Sequence, residues 1–142
     1  MLLPFALAAC LNYADYSLAA YTNATEAKAQ SLALIEKATG SYSANRDAAD
    51  AVLLKLDQGY EFSAGVRDNE EATYMWDRLR SRSGYMVGGF VEFWRRERPG
   101  GMAKDSAFLR EYRDNIADAF DRLICLEANK GKPAKCPVPQ PN

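Results

Sequence analysis

The sequence predicts an all-α protein, an antiparallel bundle of four to five helices followed by a short proline-rich C-terminal tail. Apolar residues recur at three- and four-residue spacings in successive segments, and glycine and proline clusters separate those segments. No segment shows the strict alternation of a half-buried strand. The 142 residues amount to one domain. We expect an export signal over 1–9, the bundle over 10–132 and the tail over 133–142.

The first two predicted helices lie on either side of Gly40. The first runs from Leu11 to about Thr39, and its alanine-rich composition favours a helix. Its apolar stripe comprises Leu11, Ala14, Leu18, Tyr21, Leu32 and Ile35. The second helix ends at the glycines Gly59 and Gly65. Its apolar side comprises Ala49, Val52, Leu53, Leu56 and Tyr60.

A third helix is expected to open with a capping box, in which Asp68 and Glu71 satisfy the first free backbone N–H groups. Its stripe comprises Ala72, Met75, Trp76 and Leu79. The run from Ser81 to Gly84 predicts an interruption, because serine and glycine weaken a helix. A fourth helix then stops before Pro99, and it contains Met86, Val87, Phe90, Phe93 and Trp94.

The last predicted helix has the clearest stripe of the chain. It starts near Asp105 or Ser106 and ends before Gly131 and Pro133. The stripe comprises Leu109, Tyr112, Ile116, Ala119, Leu123 and Leu126. The proline-punctuated tail that follows is expected to be extended and tied to the bundle at Cys136.

Composition excludes several functional classes. The chain has no histidine, which removes histidine-based acid–base catalysis, histidine-ligated haem and most zinc and di-iron sites. Eighteen basic and nineteen acidic residues give a formal charge of −1, whereas dedicated nucleic-acid binders carry a basic excess. We therefore expect no nucleic-acid partner, no cofactor and no metal.

The first ten residues form an apolar run that ends in small residues, a pattern that is typical of an export signal. Leu7-Ala8-Ala9-Cys10 resembles the lipobox of bacterial lipoproteins. The resemblance implies that Cys10 becomes the first mature residue and carries the lipid, and that Leu11 directs the protein to the outer membrane. No basic residue precedes the apolar run, which departs from the family pattern and leaves a start upstream of Met1 open. The alternative interpretation is an apolar start to the first helix.

The cysteine count agrees with export. Three cysteines are an awkward number in an exported protein, but lipid on Cys10 leaves Cys125 and Cys136 as a pair. Cys136 follows Gly131 and Pro133, so the chain can turn back along the last turn of the final helix. An oxidising periplasm permits this disulfide and a reducing cytosol does not. The alternative is two unrelated thiols, one of them buried.

A candidate partner-binding surface lies in the fourth helix. Glycine in a helix costs about 1 kcal/mol relative to alanine and often marks a close backbone approach. Trp94 is followed by two arginines, and tryptophan and arginine are enriched at binding hot spots. The candidate residues are Gly84, Gly88, Gly89, Trp94, Arg95 and Arg96. Tight packing inside the bundle explains the same glycines and stays the alternative.

A second candidate is a carboxylate site formed by Glu70, Glu71 and Asp77. Catalysis by such a group needs one carboxyl that burial holds neutral. Acidic residues that favour the positive end of a helix explain Glu70 and Glu71 equally well.

The central and C-terminal segments also resemble uncharacterised small helical proteins of bacteria, a family without assigned activity. The resemblance supports the helical fold and implies no chemistry. It rests on Tyr60-Glu61-Phe62, Asn69-Glu70, Trp76, Gly88-Gly89-Phe90, Trp94 and Ala119-Phe120-Asp121.

Two functions from different classes follow. The first is a lipid-anchored periplasmic module that binds another envelope protein as an adaptor, assembly factor or inhibitor. The second is an enzyme that uses carboxylates and arginines in a cleft of the bundle. A cytosolic helical protein of unknown role is a weaker third hypothesis.

Overall fold

In a computed structural model, which describes residues 14–130 and Cys136, the protein is all-helical and contains no strand among those residues. The predicted fold class is therefore confirmed. The α-helices are α1 (Leu18–Lys37), α2 (Arg46–Ala64), α3 (Glu70–Arg80), α4 (Val87–Glu97) and α5 (Ala107–Ala128), and a 3₁₀ turn spans Ser43–Asn45. No helix in this part of the chain is long and apolar enough to cross a membrane.

Side-chain pairs fix the antiparallel arrangement of α1 and α5. Lys28 of α1 pairs with Asp121 of α5. Two turns further along α1, Glu36 lies 3.7 Å from Arg113. Arg113 comes earlier in α5 than Asp121 does. The numbering therefore rises along one helix as it falls along the other.

The helices α1, α2 and α3 alternate in direction in the same way. The backbone N–H of Ala14 donates to the Asp68 carbonyl just beyond α2 (3.0 Å), while Glu26 of α1 pairs with Lys55 in mid-α2 (2.7 Å). Asp57 of α2 lies 3.6 Å from Arg80 at the end of α3. One end of the bundle, which we call the Ala14 end, therefore carries the start of α1, the end of α2, the start of α3 and the end of α5.

Helix α1 begins later than predicted. Ser17 is its N-cap, and the Ser17 hydroxyl accepts the backbone N–H of Ala20 at 3.3 Å. The predicted stripe is also wrong in part, because Leu18 is 68% exposed. Small residues form most of the buried face instead, and they let neighbouring helices approach closely. The buried residues are Ala20, Ala24, Ala27, Ser31, Leu34 and Ile35.

Two expectations about α2 and α3 are corrected. Gly59 lies inside α2 rather than at its end. A Cβ at this position would stand 2.5 Å from the Trp76 ring of α3, so the missing side chain makes room for that ring. The capping box does not form. Asp68 adopts a positive φ of 55°, and the N-cap is Asn69, without a side-chain capping bond.

The interruption between the third and fourth predicted helices is confirmed, since residues 81–86 separate α3 from α4. The last helix also begins as predicted. Its N-cap Ser106 accepts the backbone N–H of Leu109 at 3.2 Å. The core includes buried residues from all five helices, and within it Trp76 of α3 meets Phe120 of α5 edge-on.

Candidate functional site

An open cleft of about 410 Å³, with a mixed polar and apolar lining, lies between the second half of α2 and the exposed side of α3, at the Ala14 end. Its lining mixes two tyrosines, two carboxylates and small or amide side chains. The lining residues are Tyr60, Ala64, Val66, Asn69, Glu70, Thr73, Tyr74 and Asp77. Such a cleft can hold a short polar or aromatic segment of a ligand.

A buried hydrogen-bond network lies at the floor of the cleft and holds α2 and α3 together. The Asn69 amide donates to the Ser63 carbonyl (3.0 Å) and hydroxyl (2.8 Å). Thr73 Oγ1 lies 3.1 Å from the Ser63 hydroxyl and donates to the Asn69 carbonyl at 2.9 Å. Since Asn69 and Thr73 also line the cleft, the network fixes the shape of its floor.

A buried lysine just beyond the end of α5 joins the same network. Lys130 Nζ donates to Asn69 Oδ1 and lies 2.6 Å from Glu127 Oε2. Both charged side chains are almost completely buried, at 5% and 1% exposure. Removing one member of such a pair leaves an uncompensated buried charge, whereas the intact pair contributes little net stability. Lys130 therefore links Glu127 of α5 to Asn69 at the start of α3.

An arginine shapes the wall of the cleft from outside. The guanidinium of Arg80 stacks on the Tyr60 ring at 3.6 Å from its centroid, and Arg80 Nε donates to Asp77 at 3.1 Å. Burial alone would lower the pKa of Arg80, but the hydrogen bond to Asp77 and the charges of Asp77 and Asp57 outweigh it and raise that pKa. Arg80 thus holds one face of Tyr60 and one carboxylate of the rim in place.

The predicted carboxylate group is only partly assembled. Glu70 and Asp77 both line the cleft, whereas Glu71 does not. All three carboxylates are exposed, and Asp77 pairs with Arg80 at 3.0 Å. The buried acidic pair that an enzyme of this kind requires is not formed by these residues. The described chain also holds no cluster of three or more metal-ligating side chains.

The predicted partner-binding surface needs correction. Trp94 is fully buried, its Nε1–H donates to the Gly40 carbonyl at 3.2 Å, and it meets Tyr42 edge-on at 5.5 Å. A Cβ on Gly88 would lie 2.1 Å from the Arg80 carbonyl oxygen, and one on Gly89 would lie 1.7 Å from that of Gly84. Gly88, Gly89 and Trp94 therefore serve packing inside the bundle, the alternative that the sequence left open.

Only the flanks of that surface face solvent. Gly84 is partly exposed and the side chains of Arg95 and Arg96 are exposed, and Arg95 pairs with Glu92 at 2.6 Å. These residues do not converge on a cavity that includes Trp94, so the structure does not assemble them into one site.

The predicted disulfide is present. Cys125 of α5 is bonded to Cys136, with 5.8 Å between their Cα atoms. The lipobox residues and Cys10 lie outside the described residues, as do most of the tail residues.

The cleft is not predicted by the sequence. Tyr60 is predicted on the apolar side of the second helix, Tyr74 belongs to no predicted stripe, and nothing in their spacing indicates a shared wall. One local signal was available: Glu127 and Lys130 stand three apart at the predicted end of the last helix, a spacing that allows an ion pair. Their burial depends on the α2–α3 junction, which spacing along the chain does not show.

Comparison of the chain with protein-family models, with curated proteins and with solved structures finds no match. The geometry of the described residues therefore carries the functional argument.

Proposed function

We propose that the protein is a lipid-anchored periplasmic module of the bacterial envelope that binds another envelope protein. Cys10 carries the lipid, and the helical bundle carries the binding surface. The observation behind the proposal is the disulfide between Cys125 and Cys136. Disulfides persist in oxidising compartments such as the periplasm, and this one leaves Cys10 as the single cysteine for lipid.

The α2–α3 cleft supports a binding role better than the surface predicted around Trp94. Tyr74 on its rim is 60% exposed, and Phe62 nearby in α2 is 38% exposed. Exposed tyrosines are favourable at interfaces because they offer a large apolar ring together with a hydroxyl that can form hydrogen bonds. The partner is proposed to insert a short segment between Tyr60 and Tyr74.

The anchor is tested by replacing Cys10. We expect the wild-type protein to sediment with the membrane and Cys10→Ser to move to the soluble periplasm, because the variant lacks the acyl chains. Mass spectrometry of the mature N-terminal peptide should find lipid on Cys10. A wild-type protein that is soluble and retains residues 1–9 contradicts the proposal.

The binding surface is tested by cross-linking from a photoreactive amino acid placed at position 74. The control carries the same amino acid in place of Gln30, an exposed residue of α1. We expect one envelope protein to cross-link at position 74 and not at position 30. Tyr74→Ala should then weaken binding of that purified protein, since truncating a hot-spot aromatic costs about 2 kcal/mol or more. Equal labelling at both positions, or unchanged affinity, places the surface elsewhere.

A further inference from the structure

The chain is fixed to the bundle very close to the proposed anchor. Ala14 is 6% exposed, and its backbone N–H donates to the Asp68 carbonyl at 3.0 Å. Only three residues separate Cys10 from Ala14. Covalent geometry limits that separation to about 14 Å between Cα atoms, even for a fully extended chain.

This short reach restricts which part of the bundle can meet the membrane. Helix α1 has 20 residues, so its far end lies about 30 Å from its start. A lipid at Cys10 therefore brings the Ala14 end to the bilayer and keeps the end with Lys37 and Trp94 away, unless the bundle lies on its side along α1.

The exposed side chains distinguish these two orientations. Tyr16 is 54% exposed and Leu18 is 68% exposed, and both lie at the Ala14 end. Beyond Leu18, the described residues of α1 include no large hydrophobic side chain that is exposed. Other exposed positions of α1 carry small or polar side chains such as Thr22, Ala29 and Gln30, so the length of this helix offers the bilayer little apolar surface.

A third apolar side chain lies at the same level. Lys55 Nζ donates to Asn23 and to Glu26, which sets the register between α2 and α1. Phe62 stands seven residues further along α2, or about 10 Å nearer the Ala14 end. This places Phe62, 38% exposed, level with the first turn of α1.

We infer that the bundle stands on the membrane on its Ala14 end, with Tyr16 and Leu18 in the headgroup layer of the bilayer and Phe62 beside them. The inference rests on the lipid anchor proposed above. The amphipathic ring of Tyr16 favours the headgroup level, and apolar side chains such as Leu18 and Phe62 gain by leaving water. The α2–α3 cleft then opens close to the membrane surface, so its partner must reach that level.

The test measures how close single side chains lie to the lipid headgroups. Membrane attachment itself is not informative, because the acyl chains hold the protein on the bilayer in any orientation of the bundle. Lipidated protein is reconstituted into vesicles of phosphatidylethanolamine and phosphatidylglycerol that carry nitroxide-labelled headgroups. Leu18→Trp is compared with Leu54→Trp on α2. Leu54 is also an exposed leucine, at 58%, and lies further from the Ala14 end. The signal of the buried Trp76 and Trp94 is subtracted with the wild-type protein.

We expect the tryptophan at position 18 to be quenched several-fold more strongly than the one at position 54, and Tyr16→Trp to behave like Leu18→Trp. Equal quenching at positions 18 and 54, with lipid present on Cys10 by mass spectrometry, overturns the orientation and leaves the anchor intact. Absence of lipid on Cys10 overturns the anchor and the orientation together.

Discussion

At the scale of single residues, the clearest result concerns Trp94, whose type and neighbours predicted a binding residue and whose environment is the core. Its indole is fully buried and donates a hydrogen bond to Gly40. Sequence alone cannot separate these roles, because Trp94 falls on the apolar stripe and also precedes two arginines. What decides its role is the segment around Gly40 and Tyr42, which packs on it from a distant part of the chain.

We expect Trp94→Ala to lower the free energy of unfolding by about 3–5 kcal/mol, because it removes a large buried side chain and leaves a cavity. Denaturant titration followed by circular dichroism measures the change. Tyr85→Ala is the matched control, since Tyr85 is 84% exposed and its loss should change stability by less than about 0.5 kcal/mol. A Trp94→Ala variant as stable as the control returns Trp94 to the list of binding residues.

Two serines of α1 should respond to alanine with opposite signs. The Ser31 hydroxyl is fully buried and finds no hydrogen-bond partner among the described residues. Burying an unpaired hydroxyl costs about 1–3 kcal/mol, so we expect Ser31→Ala to raise the free energy of unfolding. Ser17 caps the helix, and Ser17→Ala should lower it by about 1 kcal/mol. If both variants lose stability alike in thermal melts, Ser31 has a partner or a packing role that its surroundings do not show.

At the scale of elements, the sequence predicted the features that depend on neighbouring residues along the chain, such as where a helix starts or is interrupted. The start of α5 at Ser106 and the break after α3 are present. The predicted stripe of α5 is confirmed at Leu109, Ile116 and Leu123, but its other members are only partly buried, and the stripe left out the buried Phe120. The errors lie where a neighbouring helix decides. Gly59 does not end α2, and its missing side chain leaves space for the Trp76 ring of α3. In α1, alanines rather than leucines form most of the buried face.

The junction of α3 and α4 is expected to depend on the absence of a side chain at position 88. A Cβ on Gly88 would lie 2.1 Å from the Arg80 carbonyl oxygen, so Gly88→Ala must push α4 away from α3. Such overpacking costs about 1–3 kcal/mol, which outweighs the gain in helix propensity of about 1 kcal/mol. Gly100→Ala is the control, because nothing lies within 4 Å of its added Cβ. Chemical denaturation of both variants should show a loss for Gly88→Ala alone; equal stabilities contradict the close contact.

At the scale of the whole molecule, periodicity predicted the all-α class, whereas the meeting of elements at the Ala14 end could not be predicted. The cleft needs the α2–α3 turn, and its floor needs Lys130, just beyond the end of α5, to reach Asn69. These residues are separated by 61 positions in the chain. Spacing patterns describe neighbours on one helix, so a site that three helices build together leaves no periodic trace in the sequence.

The disulfide lies at the same end of the molecule, because it bonds Cys136 to Cys125 near the end of α5. It closes a loop with a sequence separation of 11, and loop closure of that length corresponds to about 2–3 kcal/mol. We expect Cys125→Ala combined with Cys136→Ser to lower the melting temperature by several degrees in calorimetry. Dithiothreitol should lower the melting temperature of the wild-type protein by a similar amount and leave the double variant unchanged. A wild-type protein whose melting temperature does not respond to full reduction would show that the cross-link contributes no stability to the bundle, because its loop entropy is then offset in the folded state.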